Sequence, residues 1–324
     1  MRKIGEAICG CAFLGFLFLL FVPQAGAQLH TVKVAIPQKG LFDTTMPFVI
    51  GDKAGLYKAE GIQVEIVWTR GGGETNRAAA TGSTDIAHDT GLLGILAGYV
   101  EKAPLKIVMV AATGNELFWY VKADSPYRSI QDMSGRTLGY SQAGSSTHMS
   151  VLDIIAATKV NAKPASVGSP PDSFTAVMTG QVDAGWSSPP FFLKEIQEGK
   201  TRVLFKGADF PELREITTRV TVANSDFLKK NPAAARGLLK AYLKTIDYMY
   251  ANPKVTIDTL AEFNTLAPAV AGEAFKFFPK EFFNSKPIKG LEYSMEKAVE
   301  FKFIKKPLSK EDLNQLIDFS YLPQ

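Results

Sequence analysis

A seven-residue pattern occurs twice in this chain, and it constrains the fold more than any other feature of the sequence. Residues 81–87 (TGSTDIA) and residues 179–185 (TGQVDAG) both read T-G-x-x-D-x-small. In each copy the glycine suits the end of a helix because it has no Cβ, and the aspartate opens a short strand. The repetition indicates two similar α/β units in one chain.

Strands and helices alternate around the first copy. Residues 31–36 and 62–68 alternate in β-branched side chains, which predicts two strands, and residues 47–60 between them read as a helix. A second helix is predicted over 74–81 and a third strand near 85–88. Such alternation is typical of a parallel sheet covered on both faces, which binds ligands beyond the carboxyl ends of its strands.

The second unit begins with a matching strand at residues 137–140 (TLGY). The chain should cross between the units near residues 113–121 and return near residues 216–222, after which residues 232–251 form a long amphipathic helix. Two crossings make a hinge. We therefore predict two lobes, in the division 28–114 plus 217–324 for the first lobe and 115–216 for the second.

The N-terminus has the pattern of a secretory signal peptide. Arg2 and Lys3 precede an apolar run over 8–22, and small residues at 25–27 predict cleavage after Ala27. An uncleaved membrane anchor is the alternative, but the run is shorter than the roughly 20 residues that span a bilayer. We therefore expect a periplasmic protein whose mature part, from residue 28, contains no cysteine, because both cysteines precede residue 12.

Composition argues against several other classes of protein. A cysteine-free mature part excludes disulfides, thiolate metal sites and a cysteine nucleophile. The net charge of +4 is spread without long basic blocks, so we expect no nucleic-acid partner. The three histidines, at 30, 88 and 148, lack metal-ligand spacing, so we expect no metal. No nucleophile elbow, Walker loop or dinucleotide fingerprint occurs, so we expect no enzyme and no cofactor.

The order of several short motifs resembles the nitrate/sulfonate/taurine-type (SsuA/THI5-like) solute-binding proteins over essentially the whole mature chain. The segments that carry the resemblance are 51–64 (GDKAGLYKAEGIQV), 71–73 (GGG), 82–85, 129–138 (SIQDMSGRTL), 182–184 (VDA) and 231–232 (NP). The resemblance implies a periplasmic-binding-protein type II fold, with two α/β lobes joined by a two-crossing hinge. It also implies a receptor that serves the permease of an ABC importer, and we expect it to be a monomer.

The resemblance leaves the solute and two alternative functions open. The family includes proteins for inorganic oxyanions, alkanesulfonates, pyrimidine precursors and aromatic acids, and we expect a small organic anion, sulfonate- or carboxylate-like. A ligand sensor that feeds a membrane kinase shares the fold and stays open. A pyrimidine synthase of thiamine biosynthesis is also related, but its cysteine-rich motif is missing here.

The candidate binding residues lie in loops at strand carboxyl ends and at helix N-termini, where two lobes can converge on one molecule. They are Leu41, Phe42, Gly72, Asp89, Thr90, Asn115, Ser145, Ser146, Thr147, His148, Trp186 and Ser187. Residues 145–147 combine hydroxyls with free N–H groups at the positive end of a helix dipole, which favours an anion.

Some of these residues have an equally ordinary structural interpretation. The aromatic residues Phe42 and Trp186 are candidates for the walls of an organic pocket, with core packing as the alternative. Any single hydroxyl of residues 145–147 can be merely a helix cap, and His148 can be an exposed helix residue. Arg70 and Arg219 are the basic residues nearest the expected cleft, and we expect each to pair with a neighbouring acid.

Overall fold

The structure is a computed structural model, and it describes residues 28–324. The predicted signal peptide, residues 1–27, lies outside the described residues. The strands are β1 (His30–Pro37), β2 (Ile62–Thr69), β3 (Ile86–Gly91), β4 (Leu105–Thr113), β5 (Phe118–Lys122), β6 (Thr137–Tyr140), β7 (Lys163–Ser166), β8 (Gly185–Ser187), β9 (Thr201–Lys206) and β10 (Thr217–Asn224).

Most of the helices lie in the first hundred residues and in the C-terminal third of the chain. They are α1 (Phe42–Lys53), α2 (Leu56–Ala59), α3 (Gly72–Ala80), α4 (Leu92–Val100), α5 (Ser146–Thr158), α6 (Pro170–Thr179), α7 (Leu193–Gln197), α8 (Pro211–Arg214), α9 (Ser225–Lys230), α10 (Pro232–Ala251), α11 (Pro253–Asn264), α12 (Pro268–Lys276), α13 (Leu291–Glu300) and α14 (Lys310–Leu316). Among the helices in residues 28–324, none is both long enough and apolar enough to cross a membrane.

The strands form separate sheets in two α/β lobes. The first lobe has a five-stranded sheet in the order β2-β1-β3-β10-β4, and the second lobe has a three-stranded sheet β8-β5-β9 and the pair β6-β7. A parallel bridge between Leu138 and Ala184 joins β6 to the segment that leads into β8. The chain passes between the lobes after β4 and again before β10. The limits of 114/115 and 216/217 for the lobes stay a prediction.

The expected parallel sheet is only partly correct. Strand β1 pairs in parallel with β2 and β3, but β10 runs antiparallel to both β3 and β4. The reason is the return crossing: β4 ends at the junction of the lobes and β10 begins there, with Thr113 opposite Thr217, so the two strands must run in opposite directions.

The sequence repeat corresponds to the same structure in both lobes. Gly82 and Gly180 end helices with φ of +75° and +78°, a left-handed conformation that favours glycine. The Oδ2 atom of Asp85 accepts the backbone N–H of Lys33 in β1 at 2.8 Å. The Oδ2 atom of Asp183 accepts the backbone N–H of Thr137 in β6 at 2.9 Å. Asp85 thus ties the segment before β3 to β1, and Asp183 ties the segment before β8 to β6.

The C-terminal helices complete the core of the first lobe. Helix α10 has the predicted bounds, with proline at its first position, and it buries Leu238, Tyr242 and Met249 against α1 and the sheet. Helix α1 begins at Phe42, five residues before the predicted start, because its first turn buries Phe42 and Met46 in the same core. Tertiary packing here outweighs the proline at position 47.

Candidate functional site

A small buried cavity lies between the lobes, and residues of both lobes line it. Its volume is about 20 Å³, which is room for one water-sized group. The lining residues are Pro37, Gln38, Leu41, Gly72, Asp89, Gly91, Leu117, Ser141, Ser145, Ser146, Thr147, Trp186 and Arg219. A larger open groove of about 1060 Å³ follows α4 and residues 302–308 on the first lobe alone. We assign the site to the smaller cavity because buried polar groups of both lobes converge there.

The cavity brings together seven of the candidate binding residues. They are Leu41, Gly72, Asp89, Ser145, Ser146, Thr147 and Trp186. They come from the loop between β1 and α1, the start of α3, the end of β3, the start of α5 and strand β8 of the second lobe. This is the convergence of loops and helix N-termini that the sequence predicts, and solute contact by these residues stays a prediction.

Two further candidates of the first lobe do not line the cavity. Phe42 packs into an aromatic cluster, with its ring centroid 4.8 Å from that of Phe278. The hydroxyl of Thr90 donates to the carbonyl of Val220 at 3.4 Å, within the sheet. Both side chains therefore support the first lobe behind the cavity.

Three candidates of the second lobe also lie outside the cavity lining. The amide of Asn115 donates to the hydroxyl of Ser150 at 2.9 Å, which ties the first crossing to α5. The His148 ring stacks on Tyr140 at 4.2 Å, and burial lowers the pKa of His148 to about 4. The Ser187 hydroxyl donates to a neighbouring carbonyl at 3.4 Å.

The N-terminus of α5 faces the cavity with one uncommitted hydroxyl. Ser145 caps the helix by accepting the N–H of His148 at 3.1 Å. The Thr147 hydroxyl accepts the N–H of Ser141 at 2.8 Å and so holds the loop in place. Within residues 28–324, the Ser146 hydroxyl makes no hydrogen bond to protein, and its residue is 8% exposed. Ser146 is therefore the hydroxyl of this helix start that is free to contact a solute.

A buried charge cluster around Arg219 forms the other side of the cavity. The guanidinium lies 3.1 Å from Asp43 through Nη1, 3.4 Å from Asp89 through Nε and 2.5 Å from Glu116 through Nη2. All four side chains are at most 4% exposed. Glu116 also accepts the hydroxyl of Ser188 from the second lobe at 3.2 Å. The predicted ion pair of Arg219 is confirmed, with three acids instead of one.

The cluster shifts the titration of its members. Burial raises the pKa of Asp43 well above its usual range, and the attraction of Arg219 offsets only part of this. Burial likewise raises the pKa of Asp89 to about 6, with Arg219 opposing and Glu116 adding to the shift. Burial lowers the pKa of Arg219, but its three carboxylate neighbours outweigh that effect and raise it. The guanidinium thus does not offset the effect of burial on Asp43 and Asp89.

Two members of the cluster, Asp43 and Glu116, were absent from the sequence prediction. Neither belongs to a recognisable motif, and both contact Arg219 across more than a hundred residues of sequence. Their positions are the only signal in the sequence: Asp43 follows the loop before α1, and Glu116 lies within the first crossing. Arg70, by contrast, makes an exposed pair with Glu74, at 3.6 Å, as expected.

The lobes meet through glycines next to the cavity. A Cβ placed on Gly91 would lie 2.4 Å from the Gly144 carbonyl oxygen, and a Cβ on Gly94 would lie 2.7 Å from it. Across the same interface the N–H of Glu74 donates to the Gln142 side chain at 3.1 Å. The missing side chains allow the backbones of the two lobes to touch, so the structure is a closed one.

His88, the histidine at the repeat in the first lobe, is a core residue. Its Nδ1 lies 2.8 Å from the Thr221 hydroxyl, and its Nε2 lies 3.4 Å from the Tyr242 hydroxyl. Burial, with a smaller contribution from Arg219, lowers the pKa of His88 to about 3. The imidazole is therefore neutral and fully engaged, which makes it unsuited to proton transfer.

Comparison with known families and with curated proteins finds the same kind of relative, proteins of the THI5 type. The family described as NMT1/THI5 like matches residues 43–256 of this chain. The 4-amino-5-hydroxymethyl-2-methylpyrimidine phosphate synthase THI13 of Saccharomyces cerevisiae is 22% identical over 232 residues, 64% of this chain and 64% of the yeast protein. The chain thus matches less than two thirds of the length of this curated relative.

Comparison with solved structures finds the same fold in binding proteins. The alkanesulfonate-binding protein SsuA from Xanthomonas axonopodis pv. citri, bound to MOPS, superposes with a TM-score of 0.74 at 18% identity, over 90% of this chain and 99% of that one. The periplasmic nitrate-binding protein NrtA from Synechocystis PCC 6803 gives a TM-score of 0.70 at 15% identity, over 91% and 87%. At these identities the likeness concerns the fold alone.

Proposed function

Because the chain belongs to the NMT1/THI5-like family, we propose that it is an extracytoplasmic solute-binding receptor of an ABC importer. It captures a small organic solute between its lobes in the periplasm and delivers that solute to the permease. The cavity carries the proposal, because buried polar groups of both lobes face each other across it. A cavity of about 20 Å³ encloses only a head group, so a larger solute holds the lobes further apart than they are here.

The receptor acts without chemical change to its solute. A catalytic site needs a nucleophile or base with a free proton-accepting atom near the reacting group. Asp43 and Glu116 are paired with Arg219 outside the cavity lining, and His88 is neutral and engaged in the core. Among the described residues, Asp89 is the one carboxylate in the lining, so the cavity holds no pair of acid and base for a proton transfer. The relative THI13 is named as a synthase, so an enzyme is the function that an experiment must separate from the receptor.

One feature of the protein supports an acidic group on the solute. The start of α5 offers the free Ser146 hydroxyl beside the positive end of a helix of 13 residues. Arg219, the basic residue in the cavity lining, faces three carboxylates and is therefore committed to the protein, as expected for it. A sulfonate or carboxylate on the solute thus has its place at α5.

A thermal-shift screen of the purified protein tests the receptor function. We expect one class of small organic solute to raise the midpoint of unfolding, since a ligand at about 100 times its Kd adds about 2.7 kcal/mol to the stability of the fold that binds it. The panel comprises sulfonates, aromatic acids, nitrate and pyrimidines. Mass spectrometry of the recovered solute after long incubation should find it unchanged, and any product of altered mass would refute the receptor.

A further inference from the structure

The charges that border the cavity do not balance. Asp43, Asp89 and Glu116 carry three potential negative charges, and Arg219 carries one positive charge. All four side chains are withdrawn from water, where a charge without a partner is costly. A further positive charge at this place would therefore be stabilised, whereas a further negative charge would be repelled.

The excess negative charge is concentrated at the cavity itself. Glu116 is well paired, because Arg219 lies 2.5 Å from one of its oxygens and the Ser188 hydroxyl donates to the other. Asp89 lines the cavity, and its ion-pair distance of 3.4 Å to Arg219 is long compared with about 2.7–2.9 Å for a charge-assisted hydrogen bond. The Asp89 carboxylate is thus the member of the cluster that is available to a solute.

Asp43 contacts Arg219 from behind the cavity. Both of its carboxylate oxygens are buried and receive no hydrogen bond from the described residues, although Arg219 lies 3.1 Å away. Because burial raises the pKa of Asp43, the negative charge that lacks a close partner lies on Asp89 rather than on Asp43. Arg219 lines the cavity but is held by Asp43 and Glu116, and it cannot turn toward an anion without leaving these buried acids alone.

An aromatic side chain faces the same space. Trp186 lines the cavity, and its indole N–H donates to the Gly168 carbonyl at 3.2 Å. Because the indole N–H is engaged in this way, the carbon atoms of the ring are the part of the side chain that remains for contact with a solute. A carboxylate together with an indole ring is a combination that stabilises organic cations, because the ring face carries negative charge density.

We propose that the solute of this receptor carries a protonated nitrogen, which the cavity receives between Asp89 and Trp186. The proposal rests on the receptor function proposed above and deepens it by naming the chemical class of the solute. An ammonium head group is close to water in size, so it suits a cavity of about 20 Å³. The start of α5 lines the same cavity, so a solute that also carries an acidic group holds the lobes further apart than they are here.

Matched pairs of probes that differ only by an amine test this proposal. Isothermal titration should compare 1-propanesulfonate with 3-amino-1-propanesulfonate and butanoate with 4-aminobutanoate. A third pair, propanol and propylammonium, replaces a hydroxyl by an ammonium group. We expect the aminated or cationic member of at least one pair to bind the wild-type protein about ten- to hundredfold more tightly, the effect of one hydrogen bond to a charged group. Asp89→Asn should remove that difference within the pair.

Asp52→Asn is the matched control, because it removes the same charge from an exposed position in α1 and should leave the difference intact. If the amine adds no affinity in any pair that binds, or if Asp89→Asn leaves its contribution unchanged, the proposal is wrong while the receptor function stands. If no solute of this set or of the thermal-shift panel binds, the receptor function itself fails and the proposal fails with it.

Discussion

At the scale of single residues, Asp89 combines an uncommon backbone with an uncommon environment. Its φ of +58° lies in the left-handed region, which non-glycine residues seldom adopt and which typically marks turns or functional sites. Its carboxylate is buried beside two other acids, and its pKa is raised to about 6. Neither property favours folding, and both agree with the contact to a solute that we propose for this residue.

Replacement of Asp89 by asparagine should change how stability depends on pH. An aspartate with a pKa of about 6 in the fold and about 3.9 in the unfolded chain is disfavoured in its ionised form by folding. The wild type therefore loses stability relative to Asp89→Asn as pH rises from about 4 to above 6. We expect Asp89→Asn to gain on the order of 1 kcal/mol or more over this range, measured by urea unfolding at pH 4, 6 and 8.

Removal of the Asp89 charge also lowers the pKa of Asp43, which acts in the same direction. The pKa values of His88 and His148 are shifted mainly by burial, so these histidines should contribute little to the difference. A difference in stability that stays constant from pH 4 to 8 would show that Asp89 titrates normally in the fold. It would also remove the argument that its burial is costly.

The sequence predicts the position of a residue when that position depends on nearby residues. It does not predict contacts between residues that are far apart in the sequence. Asp89 and Ser146 could be placed at the site because strand ends and helix starts follow from nearby residues. The three acids of Arg219 could not be identified together, since Asp43 and Glu116 lie 73 residues apart in the sequence and become neighbours only through the folded sheet.

At the scale of elements, the aspartates of the repeat, Asp85 and Asp183, make equivalent hydrogen bonds to a neighbouring strand in the two lobes. The Asp183 carboxylate accepts both the N–H and the hydroxyl of Thr137, at 2.9 and 2.8 Å, and it also accepts the Tyr127 hydroxyl. Asp183→Ala leaves these donors without their acceptor, so we expect a loss of roughly 2–3 kcal/mol in the free energy of unfolding. Asp183→Asn, which keeps one acceptor oxygen, should lose less, as measured by urea denaturation.

The contribution of Asp183 should depend on pH in the opposite sense to that of Asp89. Burial alone would raise the pKa of Asp183, but the hydrogen bonds from Thr137 outweigh burial and hold it below the usual value. Its stabilisation is therefore present above the unfolded pKa of about 3.9 and is lost as pH falls through the lower folded value. The penalty of Asp183→Ala should shrink between pH 5 and pH 2, and a penalty that grows on acidification would contradict this assignment.

The sequence predicts the bounds of some elements correctly but not the direction or the start of others. Strand β6 and helix α10 have the predicted bounds, because period and end signals define them within a short window. The direction of β10 was not predictable from such windows, because it depends on where the chain re-enters the first lobe. Helix α1 begins early because Phe42 packs against distant core residues such as Phe278. The sequence of residues 42–46 alone does not indicate this contact.

At the scale of the whole molecule, glycines in one lobe set how closely the other can approach. Gly91 has an ordinary φ of −64°, so Gly91→Ala adds no backbone strain, but the new Cβ would meet the Gly144 carbonyl oxygen at 2.4 Å. We expect this variant to hold the lobes apart while the midpoint of thermal unfolding stays close to the wild type. Small-angle X-ray scattering with a solute that binds the wild type should show a larger radius of gyration for the variant.

Gly98→Ala is the matched control, since its added Cβ makes only an ordinary contact of 3.6 Å with Ala103 within the first lobe. It should give the scattering curve of the wild type. Identical curves for Gly91→Ala and the wild type, at the same solute concentration, would show that this contact does not limit closure.

The glycine contacts between the lobes also have an entropic consequence. Surfaces that meet through long side chains lose rotamer freedom when they close, by up to about 1.5–2 kcal/mol for a residue such as lysine or glutamate. Gly72, Gly91 and Gly94 have no rotamers to restrict, and the loop opposite them contributes mainly backbone. Closure along this contact therefore costs little side-chain entropy, and correspondingly more of the attraction between solute and cavity is retained as affinity.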